Sequence, residues 1–254
     1  MVKFNPFRPN GLVPPGIFSG RYEEIRRIEQ ALFQTKHGNP QHVLFEGERG
    51  IGKSSLFLLA DLLGRGDLKT MDDYKFQFIV VNVELREMMG HSDIVGKVLE
   101  ELRQQVAQRE PIKQKCRKAW EFLNKFEAYG IRYRQNENDA RRESLDDLTN
   151  TLIDLQNDAG DQIDGILILI DEGDKPPSSA HLGELCKLLT ERLAHRRAER
   201  VTFGLAGLPG LVGKLRASHE SSPRVFSVLP LDTLKDSERI SVKGLSPCVR
   251  GPYL

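Results

Sequence analysis

Eight consecutive residues, Gly47-Glu48-Arg49-Gly50-Ile51-Gly52-Lys53-Ser54, carry the densest chemistry in this chain. They satisfy every fixed position of the G-x-x-x-x-G-K-[ST] pattern. The glycines allow the backbone to curl so that successive N–H groups converge on one point at a helix N-terminus, which makes a nest for an anion. In such a loop Lys53 reaches the β- and γ-phosphates of a nucleotide and the Ser54 hydroxyl becomes a ligand for Mg²⁺, while Glu48, Arg49, Ile51 and Ser55 complete the cradle. A plain glycine-rich turn does not require the Gly-Lys-Ser ending.

A second chemical segment lies far downstream. Gly165-Ile166-Leu167-Ile168-Leu169-Ile170 is an unbroken apolar run that ends in Asp171-Glu172. Two carboxylates at the carboxyl end of a buried parallel strand stand in the crevice where open α/β sheets bind ligands. With a phosphate loop upstream, the pair reads as a Walker B segment. Asp171 then serves the Mg²⁺ shell, and Glu172 orients and deprotonates a water.

These residues need elements to hold them. His42-Val43-Leu44-Phe45-Glu46 reads as a buried strand leading into the phosphate loop, and Ser55-Leu56-Phe57-Leu58-Leu59-Ala60 as the helix that leaves it. Ile25, Ile28 and Leu32 share one face of a helix that starts after Gly20 and stops at Gly38-Asn39-Pro40. Phe76 to Val83 is rich in β-branched and aromatic residues and reads as a second strand. Between it and Gly165 the chain looks helical throughout, about residues 92–160, more than one crossover needs. The stripes Ile94/Val98/Leu102, Trp120/Leu123/Phe126 and Leu145/Leu148/Leu152/Leu155 read as core packing. Further strands are expected at Val201–Ala206 and, on an edge, at Val225–Leu229, with helices through Leu182–Leu193 and Leu211–Ala217. Alternating strands and helices predict a parallel sheet with helices on both faces. Residues 1–19, with Pro6, Pro9, Pro14 and Pro15, form an irregular lead; residues 241–254 are expected to be a disordered tail.

Composition narrows the function classes. The chain has 254 residues, ample for one large α/β domain, and Lys+Arg at 37 against Asp+Glu at 36 leaves a net charge of +1. No overall field draws it to nucleic acid or to an anionic membrane. The only cysteines, Cys116, Cys186 and Cys248, form no C-x-x-C pair, so neither a zinc site nor a disulfide framework is indicated and a cytoplasmic location is expected. No apolar run reaches membrane-spanning length. Tyr129, Arg132, Tyr133, Arg134, Arg141 and Arg142 mix aromatic and basic residues as a single-strand binder would, but the interspersed Glu137, Asp139 and Glu143 favour a solvated connector.

Taken together, four places resemble the AAA-type and STAND-type P-loop ATPases, in particular the branch of origin-recognition and replication-initiator ATPases. They are the lead Pro14-Pro15-Gly16-Ile17-Phe18-Ser19-Gly20-Arg21-Tyr22-Glu23-Glu24, the phosphate loop, Ile170-Asp171-Glu172-Gly173-Asp174, and Val225 to Leu231 with Glu238 downstream. The resemblance covers about residues 6–240 and implies a P-loop NTPase three-layer sandwich: a parallel five-stranded sheet in the order 5-1-4-3-2, here with an additional helical segment between strands 2 and 3. It implies ATP and Mg²⁺ as cofactors and an ATPase core, residues 20–240, that couples nucleotide state to a partner or an output domain. It also places Ile17, Phe18 and Arg21 near the adenine. A homo-oligomer or a protein partner is expected, nucleic acid only through a separate domain, and no membrane.

Three departures from that pattern shape the expected chemistry. The fourth strand ends in Leu205-Ala206-Gly207-Leu208, where the family carries a polar residue that senses the γ-phosphate; Thr202 lies near the strand's start. The helical lid and the winged helix that follow the core in the family have no counterpart after about residue 240, so the chain reads as a core cut short, and the lid's sensor arginine is missing with it. Arg224, and less so Arg216, are the arginines that could act on a neighbour's site. The leading expectation is a Mg²⁺-dependent ATPase; the alternative is a switch that binds ATP with little or no hydrolysis. A small-molecule kinase would need a lid and an acceptor pocket that the sequence does not display.

Overall fold

The computed structural model describes residues 21–129 and 137–233, the side chains of 126–129 and 137–138 excepted. The lead with Ile17 and Phe18, the stretch Arg132–Arg134, Glu238, Cys248 and the expected tail lie outside the described residues.

Five strands, β1 (His42–Gly47), β2 (Phe78–Glu84), β3 (Gly165–Asp171), β4 (Val201–Gly207) and β5 (Phe226–Leu231), form one sheet in the order β2-β3-β4-β1-β5. Every pairing is parallel. This is the expected order read from the other edge. Each strand therefore returns through a helical crossover, and all carboxyl ends meet at one edge of the sheet.

Alternation along each strand divides the core in two. Ile79, Val81, Val83, Ile166, Ile168, Ile170, Val201, Phe203 and Leu205 face one layer of helices. That layer contains α3 (His91–Ala107), α4 (Glu110–Lys115), α5 (Arg117–Tyr129), α6 (Glu137–Ala159), α7 (Leu182–His195) and α8 (Leu211–Ser218). Val43, Phe45, Phe78, Val80, Leu167 and Leu169 face α1 (Tyr22–Lys36) and α2 (Lys53–Arg65). Because both faces are covered, the central strands are apolar at consecutive positions: β3 is buried from Gly165 to Ile170. The result is a three-layer sandwich with unequal outer layers.

The long insertion between β2 and β3 is helical, as expected. Ile94, Val98 and Leu102 of α3, Leu123 of α5, and Leu145, Leu148, Leu152 and Leu155 of α6 are all buried in the larger core. Trp120 is partly buried against it. These stripes are packing surfaces. β5 lies on an edge beside β1, starting one residue and ending two residues later than expected. Cys116 and Cys186 are buried free thiols, and burial pushes their pKa values up to about 11 and about 12, which leaves them inert at neutral pH.

Candidate functional site

β1 delivers the chain to the carboxyl edge at Gly47, and α2 begins at Lys53. The turn between them needs two left-handed residues, Gly50 (φ 78°) and Gly52 (φ 108°), which only glycine adopts without strain. A Cβ at either would meet no atom of the described residues within 4 Å, so none of them fills the mouth of the loop. Gly47 has a different duty: a Cβ there would lie 2.9 Å from the Leu231 carbonyl oxygen, so its lack of a side chain lets β5 close on the loop. Glu48 and Arg49 are exposed, Ile51 is half-buried and Ser55 is buried in the first turn of α2.

Lys53 folds back over the loop, and its Nζ donates to the carbonyl oxygens of Gly47 (2.6 Å) and Glu48 (2.9 Å). Neutral carbonyls are weaker partners for an ammonium than an anion would be, so these contacts position the lysine without committing it. Ser54 donates from Oγ to Asp171 Oδ2 at 2.7 Å, although the two residues are 117 positions apart. Asp171 in turn accepts from the Glu172 backbone N–H on Oδ1 (2.8 Å), which fixes the carboxylate's plane. The sheet brings the two chemical segments of the sequence into direct contact.

One hydroxyl and one carboxylate make a small, hard-oxygen donor pair. Among the described residues no group of three or more His, Cys, Asp or Glu converges. Such a pair fits Mg²⁺, which keeps several waters and shares phosphate oxygens, and it does not form a cage of protein ligands.

Glu172 sits just beyond, in the left-handed region at φ 57°. Its Oε1 lies 3.4 Å from Lys175 Nζ, which also approaches Glu84 Oε1 at 4.0 Å. Glu84 is in register with Asp171 on the neighbouring strand, so the lysine bridges two carboxylates at the sheet edge. Sequence reading passed over both Lys175 and Glu84. The Lys-Pro-Pro turn after Asp174 reads only as a loop, and register cannot be seen from one strand alone.

The end of β4 is apolar, as expected: Leu205, Ala206 and Gly207 are buried. Thr202 stays at the opposite end, where its hydroxyl donates to the Gln41 carbonyl oxygen (2.6 Å). The turn after β4 is pinned from both sides by carboxylates that sequence reading did not single out. Glu46 Oε1 accepts from the backbone N–H groups of Gly210 (2.8 Å) and Val212 (3.1 Å), and Asp174 Oδ1 accepts from Leu208 N–H (2.8 Å).

Arg21 is mostly buried. Its guanidinium donates to the carbonyl oxygens of Ile51 (3.2 Å) and Asp232 (2.5 Å) and pairs with Glu24 (3.0 Å), so it ties the phosphate loop to the chain leaving β5. Arg216 on α8 is exposed, and so is Arg224 in the turn before β5; the fold does not bring either to Lys53.

Solved structures share this arrangement. The ORC2 protein of Aeropyrum pernix in ADPNP–ADP complexes is 14% identical, and the match covers 93% of this chain and 53% of that one with a TM-score of 0.54. This chain shares the fold of the matching part of that protein. The ADP form of the same ORC2 protein, also 14% identical, matches over 96% of this chain and 57% of its own length with a TM-score of 0.52. Cdc6p from Pyrobaculum aerophilum is 12% identical over 94% of this chain and 51% of its own, with a TM-score of 0.49. The chain thus spans a little over half the length of the ORC2 chain. No protein-family model and no curated protein matches the sequence. Among the described residues, no helix is long and apolar enough to cross a membrane.

Proposed function

We propose that this chain binds ATP with Mg²⁺ at the phosphate loop and hydrolyses it slowly to ADP and phosphate, as an AAA/STAND-like core whose nucleotide state is read by a partner or an output domain. The observation that carries the reading is the 2.7 Å hydrogen bond from Ser54 to Asp171, which joins a loop able to cradle phosphates to a carboxylate able to serve a metal. The nucleotide carried by the ORC2 structures of the same fold supports it.

In this reading the N–H groups around Gly50 and Gly52 take the β-phosphate, and Lys53 leaves the carbonyls of Gly47 and Glu48 for the β- and γ-phosphates. Ser54 and Asp171 exchange their mutual hydrogen bond for the metal. Mg²⁺, when bound, neutralises charge shared between the β- and γ-phosphates. Glu172 orients a water and accepts its proton, and for this it must exchange Lys175 for the water. Arg224 of a neighbouring copy is the candidate for positive charge on the outer side of the γ-phosphate, which makes a homo-oligomer part of the reading. Ile17, Phe18 and Arg21 are assigned to the adenine side. Nucleic acid enters only through a separate domain, and the cytoplasm is the compartment.

A second reading, a switch that binds ATP and hardly turns it over, is favoured by two specific features: the apolar end of β4 and the ion pair that holds Glu172. Calorimetric titration with Mg²⁺-ATP tests what the two readings share. Lys53→Ala removes a charge-assisted contact worth roughly 1.5–3 kcal/mol, so affinity should fall about ten-fold or more. Equal affinities for wild type and variant would remove the loop from contention.

A further inference from the structure

A second pocket lies away from the phosphate loop, between the first turn of α3, the start of α6 and the outer face of α7, with a volume of about 400 Å³. Its innermost polar group is His91, which is only 6% exposed. Among the described residues neither ring nitrogen has a hydrogen-bond partner. Buried polar atoms in native folds are almost always paired, so an imidazole with both nitrogens buried and unpaired beside a cavity is a group that a ligand could satisfy after a small local shift. Burial, with the Arg141 guanidinium adding to it, lowers the His91 pKa to about 4. The backbone of Ala180 and of Arg141 opposes that shift without closing a hydrogen bond to the ring. At neutral pH the ring therefore offers one N–H donor and one acceptor.

The walls have a consistent sign. Arg141, Arg142 and Arg192 line the pocket against a single lining carboxylate among the described residues, Glu184. Arg192 is held by Asp146 at 2.5 Å, and Arg141 reaches Glu184 at 3.9 Å, while Glu184 is also 3.4 Å from His181 Nδ1. Arg142 is exposed and has no ion-pair or hydrogen-bond partner among the described residues. Counting Asp146 with the wall, three guanidinium groups face two carboxylates, and the N-terminal turn of α3 adds its partial positive charge. Donors approach from α3, α6 and α7, so they surround an anion and do not present one flat fork. That suits the several oxygens of a tetrahedral anion better than the single plane of a carboxylate. The remaining wall is Leu145 and Leu188, apolar surface on which a small organic body can lie.

We propose that this pocket is a second anion site, built to take a phosphate group through Arg141, Arg142, Arg192 and His91. The phosphate is either free or the head of a small phosphomonoester whose organic part rests on Leu145 and Leu188. The proposal is independent of nucleotide binding at Lys53.

The phosphate loop would itself bind phosphate, so the test uses the full chain carrying Lys53→Ala. Histidine ring signals are followed by ¹⁵N-resolved NMR during titration with inorganic phosphate and, separately, with phenyl phosphate, at constant ionic strength. The His91 signal is assigned by its loss in His91→Leu. Saturable movement of that signal with both probes, weakened at least five-fold in Arg142→Gln, is the expected result. Arg142 is exposed and has no partner among the described residues, so this substitution leaves the fold intact even if His91→Leu does not. Phenyl phosphate binding about five- to ten-fold more tightly than phosphate would mark the occupant as a phosphomonoester, from apolar contact alone; equal affinities would mark it as free phosphate. A His91 signal that does not move, or that moves equally in Arg142→Gln, would overturn the site.

Discussion

Two glycine-capped helices start side by side at the carboxyl edge of the sheet, α2 after the phosphate loop of β1 and α8 after the turn that ends β4, and they differ in who satisfies their N-termini. Both caps are left-handed glycines, Gly52 at φ 108° and Gly210 at φ 103°, and neither has a side-chain cap of its own. At α8 the N–H groups of Gly210 and Val212 are already bound by the Glu46 carboxylate. At α2 none of the described residues fills the mouth of the loop, and Lys53 waits on two carbonyl oxygens. The same local geometry is thus an internal structural joint in one place and the proposed anion site in the other. A loop of this kind becomes a binding site only where the fold withholds its own carboxylate. The contrast extends to side-chain character: the loop after β1 meets the polar Ser54–Asp171 pair, while the end of β4 is apolar and clamped between Glu46 and Asp174.

The largest expected effect tests whether chemistry belongs to the first region alone. Glu172→Gln keeps size and hydrogen bonding but removes the basic carboxylate, so phosphate release should drop by about 10²–10⁴ while ATP binding survives. Wild-type turnover in the variant would sink the assignment. Running the assay across a protein concentration series, with Arg224→Ala beside wild type, reads the neighbour's contribution, since a cis-only site gives a flat specific activity.

A smaller effect tests whether β1 and β4 move as one body beneath the two loops. His42, buried at the start of β1, accepts on Nδ1 from the Phe203 N–H of β4 at 3.1 Å. Burial lowers its pKa to about 4. The unfolded imidazole titrates at its ordinary value, so the unfolded state binds more protons below that point. The contribution of His42 is therefore complete above about pH 6.5 and is lost as pH falls toward 4. By pH 5 that amounts to roughly 2 kcal/mol, and His91, also lowered to about 4, adds a similar loss. Urea unfolding at pH 7 and pH 5 measures the sum; a stability that does not change with pH would show that these rings are accessible to protons in the native state.

The joint at α8 can be broken directly. Glu46→Ala leaves two N–H groups of a helix N-terminus without their acceptor and should cost about 1 kcal/mol in a denaturant titration, with Glu46→Gln, which retains an oxygen acceptor, recovering part of it. No change in the alanine variant would mean that water replaces the carboxylate at no cost and that the contrast between the two helix starts is only geometric. The smallest effect concerns Lys175. Partly exposed pairs of this kind contribute about 0.2–1 kcal/mol, so Lys175→Ala should speed turnover by no more than about five-fold if the ion pair holds Glu172 back. Slower turnover would reassign Lys175 to a supporting role.

The turn of the proposed anion site and the two residues proposed for its metal were legible because they are local or nearly so. Gly47 to Ser54 is a contiguous turn whose chemistry is written in residue types, and Asp171-Glu172 announces itself as carboxylates ending an apolar run. The sheet's covered faces were legible too, since only a strand buried on both sides reads as unbroken Ile and Leu. Strand order came from resemblance, and the observed order agrees with it. Period and run length, however, say nothing about which strands are neighbours.

Register and the paths of side chains were decided by the tertiary structure alone. It sets Glu84 opposite Asp171, lends Lys175 to two carboxylates, turns Glu46 away from the phosphate loop onto α8, and encloses His91 with three arginines from two other helices. The physical reason is separation: each of these groups meets its partner across a crossover, where sequence distance carries no information and only packing of the layers fixes who touches whom. Sequence by itself determined that this chain has a glycine-rich turn between a strand and a helix and a strand that ends in acid; the sheet decided that Ser54 would donate a hydrogen bond to Asp171, and which other charges would stand near them.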